Sequence, residues 1–203
     1  MDCEGAVPLG RCQGCKGSLE ERVVRHCAPT LAGIKCGSMF RMCGSPAEVL
    51  HGIRSLNGLL QSCGVSLMVL RSEADAMMVY VYRPEMLSEV VSDMRVRGFL
   101  GGFGYFGRSY ASYLQRLSVR FGEVRMPHEV GVFLGYPLED VMGFMANGGR
   151  CSACSGCWKS YSDPEEAECR FRRCRECSDR CMRMYLDGMP ITAMSSIQAR
   201  VLS

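Results

Sequence analysis

No stretch of this chain approaches the roughly 18 consecutive apolar residues that a membrane-spanning helix requires. The longest apolar runs, Ser66–Leu70 and Ala76–Tyr82, are strand-sized, so membrane insertion is not expected. The first residues, Met1-Asp2-Cys3-Glu4-Gly5, contain no basic region followed by an apolar one. A secretory leader is therefore not expected, and the chain is expected to be cytoplasmic. Internal repeats, coiled-coil heptads and blocks of like charge are missing. The formal charge of +3 is too small to argue by itself for nucleic acid or for a membrane surface. Cysteine is absent from Gly64 through Arg150.

What is present fits a globular protein. Apolar residues make up 47% and charged residues 22% of 203 positions, enough for a sizeable core in one domain or a domain with an appendage. Cysteine falls in two groups, seven residues from Cys3 to Cys63 and seven from Cys151 to Cys181. In a cytosolic chain of this size the thiols are expected to be reduced rather than paired as disulfides. Fifteen methionines accompany them, and so much oxidisable sulfur suits a reducing or anoxic cell interior.

Residues 1–17 are rich in glycine and cysteine without periodicity and read as a flexible arm. Ser18-Leu19-Glu20-Glu21 is a capping box, predicting a helix to about Cys27 that Pro29 ends. Thr30–Lys35 and Ser38–Met42 read as short strands. Ser45-Pro46 opens a helix to about Cys63, closed by Gly64. Val65–Arg71 and Ala76–Arg83 are the clearest strands and form a hairpin. A helix from Pro84 to about Val96 comes next, then a glycine-rich loop over Gly98–Gly107 and a helix over Arg108–Phe121. Val130–Leu134 reads as a strand or short helix, Leu138–Met145 as a helix, and Trp158–Tyr161 as a strand. Asp163-Pro164-Glu165-Glu166 begins a last helix that Gly188 and Pro190 end. The fold class expected is α+β: a mixed or antiparallel sheet with a central hairpin, packed by several helices. The expected divisions are an arm (1–17), a core (18–150), a cysteine-rich loop and helix (151–187) and a tail (188–203).

The second cysteine group has metal-ligand spacing. Cys151-x-x-Cys154-x-x-Cys157 supplies three thiols from one loop, and Cys174-x-x-Cys177-x-x-x-Cys181 supplies three from a helix. Zinc takes about four such ligands in a tetrahedron. At 100° per residue Cys174 and Cys181 lie within about 20° of each other, with Cys177 at the edge of that face and Cys169 opposite. An iron–sulfur cluster is the lesser alternative, because Tyr161 stands where the ferredoxin pattern continues with cysteine. Plain packing competes with both, since a free cysteine is a small hydrophobe. Metal binding is the reading preferred. Cys12-Gln13-Gly14-Cys15 is read as an accessory thiol pair in the arm, where Cys3 could add a further ligand.

Other residues carry weaker chemistry. Cys27 with His128 would make a thiol nucleophile and its base if the fold brings them together, with Glu129 beside the histidine. His128-Glu129 is not the zinc-protease motif, because Val132 holds the position that must be histidine. Gly98–Gly107 could cradle an anion before the Arg108 helix, although it lacks P-loop residues. Arg170, Arg172, Arg173, Arg175, Arg180 and Arg183 share the last helix with Glu165, Glu166, Glu168, Glu176 and Asp179. Such mixed charge reads as a solvated face. Nucleic acid is disfavoured, and a protein partner for that helix stays open.

Three segments carry a resemblance. They are Arg25-His26-Cys27-Ala28-Pro29-Thr30-Leu31-Ala32-Gly33-Ile34-Lys35, the long run from Pro127-His128-Glu129 through Gly135-Tyr136-Pro137 to Asp140-Val141, and Gly156-Cys157-Trp158-Lys159-Ser160-Tyr161. Together they resemble a bacterial family known as domain of unknown function 3793, over roughly Ser18 to Tyr185. The resemblance implies a cytoplasmic protein of an anaerobe and no particular activity. The functional expectation is an accessory protein that binds a metal or works through thiols. A thiol-dependent enzyme using Cys27 and His128, and a protein- or RNA-interaction module through the Arg-rich last helix, are the alternatives.

Overall fold

The computed structural model describes residues 17–196. The N-terminal arm with Cys3, Cys12 and Cys15 lies outside the described residues, as does the end of the expected tail.

Three strands make the main sheet: β1 (Gly37–Cys43), β2 (Ser66–Ser72) and β3 (Ala76–Tyr82). All pairing is antiparallel in the order β1-β3-β2, so the β2–β3 hairpin forms and β3 is central. The α+β expectation with an antiparallel sheet is met. A register shift between Val69 and Arg71 leaves Leu70 as the extra residue of a bulge. The hairpin connection is tied by Arg71–Glu73 at 2.7 Å and by Arg41 near both Glu73 and Asp75.

Alternation along β3 divides the core into two layers, because successive side chains of a strand point to opposite faces. Met77, Val79 and Val81 face α1 (Leu19–Leu31), α2 (Pro46–Leu60) and α8 (Pro164–Leu186). Ile191 and Met194, from the expected tail, complete that layer, both fully buried. Met78, Tyr80 and Tyr82 face the remaining helices. These are α3 (Pro84–Ser92), α4 (Met94–Gly101), α5 (Tyr110–Glu123), α6 (Val130–Phe133) and α7 (Leu138–Asn147). Each large apolar side chain buried in this way contributes about 1.5–3 kcal/mol, which is why a small three-stranded sheet can organise so many helices.

Two expectations need correction. Thr30–Lys35 is not a strand, and Pro29 does not end the first helix: α1 runs through Pro29 to Leu31. Proline removes one helical hydrogen bond, but Ala28, Pro29, Thr30 and Leu31 are all buried, so packing carries the last turn. Its free carbonyls are also capped. Arg83 donates from Nε to the Thr30 carbonyl at 2.7 Å and from its two terminal nitrogens to the carbonyls of Leu31 and Cys63. The second correction is the Pro84–Val96 helix, which is two helices. The break falls at Asp93, whose extended backbone and carboxylate cap α4 by accepting from the N–H groups of Arg95 and Val96. Helix α4 then continues through Gly98 to Gly101, shortening the glycine-rich loop.

Two further strands, β4 (Cys154–Ser155) and β5 (Lys159–Ser160), pair as a small antiparallel hairpin. It lies between α7 and α8 and sets the cysteine-rich loop against both. Among the described residues no helix is long and apolar enough to cross a membrane.

Candidate functional site

The three segments that carry the family resemblance meet in space. After α1 the chain reverses through Gly33, with the N–H groups of Ile34 and Lys35 both donating to the Pro29 carbonyl at 2.7 and 3.2 Å. This fold-back sends Lys35 across the α6–α7 connection, where its Nζ lies 4.9 Å from the centre of the Tyr136 ring. Tyr136 stacks on Trp158 with ring centres 4.7 Å apart, and Trp158 meets the edge of Phe171 on α8 at 4.6 Å. An unbroken series of contacts thus runs from the α1–β1 turn to the last helix.

Close backbone approaches hold the series in place. Gly135 has φ 73°, and a Cβ there would come within 3.3 Å of both the N and Sγ of Cys36. Only glycine combines that conformation with that contact. Cys36 is buried there, its thiol 3.4 Å from the Phe133 carbonyl. Gly156 lies so close to Phe171 that a Cβ would fall 2.3 Å from the ring. That contact sets Cys157, the next residue, beside the face of α8 that carries Phe171 and Cys174.

Asp140 of α7 anchors the loop. It is 2% exposed and accepts four hydrogen bonds: from Trp158 Nε1 at 2.8 Å, Ser160 Oγ at 3.0 Å and the N–H groups of Tyr161 and Ser162 at 2.7 and 2.9 Å. Burial pushes its pKa up. The hydrogen bonds from Trp158, Tyr161, Ser162 and Ser160 outweigh that and hold the carboxyl below the usual range.

The electrostatics centre on Lys35. Burial lowers its pKa, and the ionisable groups that oppose the shift are all thiols: Cys174, Cys157, Cys36 and Cys27. No carboxylate is among them. Burial in turn raises the pKa of Cys36 to about 11 and also raises that of Cys174, while the Lys35 ammonium pulls both down. Tyr136 is pushed up to about 12 by burial and by Cys157 and Cys174. The arrangement is a cation on an aromatic ring with thiols as its ionisable neighbours, of which Cys157 is exposed.

The six cysteines of the expected metal site lie in different surroundings. Cys151 and Cys157 are exposed and Cys154 half-buried, all on the loop; Cys174 belongs with Lys35. Cys177 and Cys181 are buried in the core layer that contains α1, their sulfurs 4.0 Å apart. Among the described residues no three His, Cys, Asp or Glu side chains are grouped so as to hold a metal ion. Cys169 is exposed, as the helical spacing predicts.

Cys27 and His128 are not brought together. Cys27 is 0% exposed among Val23, Val24 and Leu31, and burial pushes its thiol far above the ordinary range. His128 is exposed and packs its ring on Phe144 of α7 at 5.2 Å. Glu129 is buried in a structural pair: it accepts from Arg120 Nε at 2.7 Å and Tyr105 Oη at 3.3 Å. On α8, Arg170 and Arg175 pair with Glu166 and Glu168 on the same helix, as mixed charge predicts.

Residue chemistry alone does not distinguish Lys35, Tyr136, Asp140 and Trp158 in the sequence. Their only signal was membership of the three resembling segments. The chain matches, over residues 23–195, the family described as protein of unknown function DUF3793, and it belongs to that family. No curated protein and no solved structure matches it.

Proposed function

We propose that this is an accessory thiol protein of a reducing cytosol, working by thiol–disulfide exchange at Cys157 and Cys174 beside Lys35. The observation that supports it is the partly buried lysine whose ionisable neighbours are thiols and include no carboxylate. A desolvated ammonium favours an anion nearby, and the neighbouring groups that can become anions on deprotonation are thiols. The exposed Cys157 attacks one sulfur of a small disulfide, and the other sulfur leaves as a thiolate. Cys174, once deprotonated, attacks the Cys157 sulfur. The internal Cys157–Cys174 bond forms and the second half of the small disulfide departs as thiolate. Two electrons pass from the protein to the small disulfide, which leaves as two thiols, and the protons lost by the cysteines go to solvent or to the leaving thiolates. Lys35 supports the thiolate at each stage.

The test is equilibration of anoxically purified protein with reduced and oxidised glutathione, followed by acid trapping, alkylation and peptide mass spectrometry. A Cys157–Cys174 cross-link that titrates with the glutathione ratio is expected. Its absence at every ratio would sink the reading.

A second reading, metal binding, draws on Cys177 and Cys181. Their sulfur separation of 4.0 Å is near the edge of a tetrahedral thiolate site, about 3.8 Å for a Zn–S bond of about 2.3 Å. Further ligands would come from the loop cysteines or from Cys3, Cys12 and Cys15. Elemental analysis of the anoxic protein and of a Cys177→Ser/Cys181→Ser variant decides it: zinc or iron lost in the variant supports this reading, and metal-free wild type removes it.

A further inference from the structure

A second site lies away from the thiols, where α4 meets the loop that leads to α5. An open cleft of about 610 Å³ is lined by Arg97, Gly98 and Gly101 of α4 and by Tyr105, Phe106 and Arg108 of the loop. Two features of it are unexplained by the fold. Among the described residues neither Arg97 nor Arg108 forms an ion pair or a side-chain hydrogen bond, whereas Arg95, Arg116 and Arg120 on the flanking helices are all paired with glutamates. Phe106 is 82% exposed, its ring lying 3.8 Å from where a Gly101 Cβ would stand. An exposed phenyl ring thus lines the same cleft as two unpaired guanidiniums.

The wall behind the cleft does not supply the missing negative charge. Glu129, which accepts from the lining residue Tyr105, is neutralised by Arg120 at 2.7 Å. The Gly98 side of the cleft is open, since nothing lies within 4 Å of a Cβ built there. The cleft is therefore positive, open to solvent, and bordered by an exposed aromatic ring. Guanidinium forks match phosphate and carboxylate oxygens, and an exposed aromatic ring gains most from stacking on another ring.

We infer that this cleft binds a small aromatic anion of mononucleotide size, its ring on Phe106 and its charged group between Arg97 and Arg108. A cavity of this volume lies in the range of small-ligand pockets. The site is independent of Lys35 and the thiols.

Titration calorimetry with adenosine monophosphate, and separately with inorganic phosphate and with adenosine, tests the inference on the full chain. The monophosphate should bind more tightly than either half. The Arg97→Ala/Arg108→Ala variant should weaken it by about tenfold or more, a loss of about 1.4 kcal/mol. Phe106→Ala should weaken the monophosphate and leave phosphate unchanged. These are surface residues, and circular dichroism checks that each variant is folded. No binding of the monophosphate, or binding unaltered in the arginine variant, overturns the inference. So does phosphate binding as tightly as the monophosphate, because the aromatic half would then contribute nothing.

Discussion

Trp158 donates its indole N–H to Asp140 Oδ2 at 2.8 Å, and that bond joins the cysteine-rich loop to α7. Because Trp158 is the single tryptophan of the chain, its fluorescence reports directly on the state of the site. Replacing Asp140 with alanine leaves the Trp158 indole, the Ser160 hydroxyl and two backbone N–H groups without their acceptor. The expected loss is roughly 2–4 kcal/mol of stability, since each buried donor left unsatisfied costs about 1–3 kcal/mol and some will find water. A red-shifted emission at neutral pH and a lower urea midpoint are the readouts. Unchanged emission would mean that the loop is held by other contacts.

The same carboxylate makes stability depend on acid. Its folded pKa is depressed, so the unfolded state takes up a proton first as pH falls. The stabilisation is fully present above the unfolded carboxyl value, near about 3.9, and is lost as pH drops towards the lower folded value. Asp140→Asn cannot ionise. The stability gap between wild type and Asp140→Asn should therefore be constant from pH 7 to about pH 5 and shrink below about pH 4. A gap independent of pH down to 2.5 would contradict the depressed pKa.

Gly156 tests how the loop meets α8. A Cβ there would stand 2.3–2.7 Å from atoms of the Phe171 ring, and that ring is fully buried against Trp158. Gly156→Ala is expected to cost about 1–3 kcal/mol by overpacking and to speed the labelling of Cys174. Gly58→Ala is the contrast. That glycine is inside α2 with nothing within 4 Å of its Cβ position, so alanine should stabilise by up to about 1 kcal/mol. Urea unfolding followed by Trp158 emission measures both.

Much of the fold was legible in local chemistry. The β2–β3 hairpin was readable from two runs of β-forming residues, and Ser18 and Asp163 announced helices that do start there. The failures share one cause. Pro29 stays helical because tertiary burial and the Arg83 cap outweigh a local break, and neither partner is near it in sequence. Asp93 splits a helix because its carboxylate caps the next one, a choice invisible in the apolar pattern that runs through Val91 and Val96. At the site, cysteine spacing drew attention to six thiols, and the spacing did place Cys174, Cys177 and Cys181 on the buried face. It could not reveal that Cys174 lies within electrostatic reach of Lys35 while Cys177 and Cys181 turn to the core, because those directions depend on where α1 packs.

Thiol reactivity should follow that division. In native protein, Cys151, Cys157 and Cys169 are exposed and should react first with a neutral alkylating reagent, while Cys27, Cys177 and Cys181 should wait for unfolding. Cys174 is the informative case. Burial raises its pKa and Lys35 lowers it, so Lys35→Met removes the lowering influence and should raise the thiol's pKa further. The thiolate fraction at pH 8 then falls, and alkylation of Cys174 should slow relative to wild type, while Cys169, on the far face of α8, serves as the internal standard. Lys35→Arg keeps the charge and should retain most of the rate. Peptide-resolved labelling kinetics between pH 7 and 10 separate a shifted pKa from altered access: a pKa change moves the midpoint of the profile, whereas a loosened loop raises the plateau. If the Lys35→Met midpoint coincides with that of wild type, Lys35 does not govern the thiols, and the exchange chemistry loses its electrostatic basis.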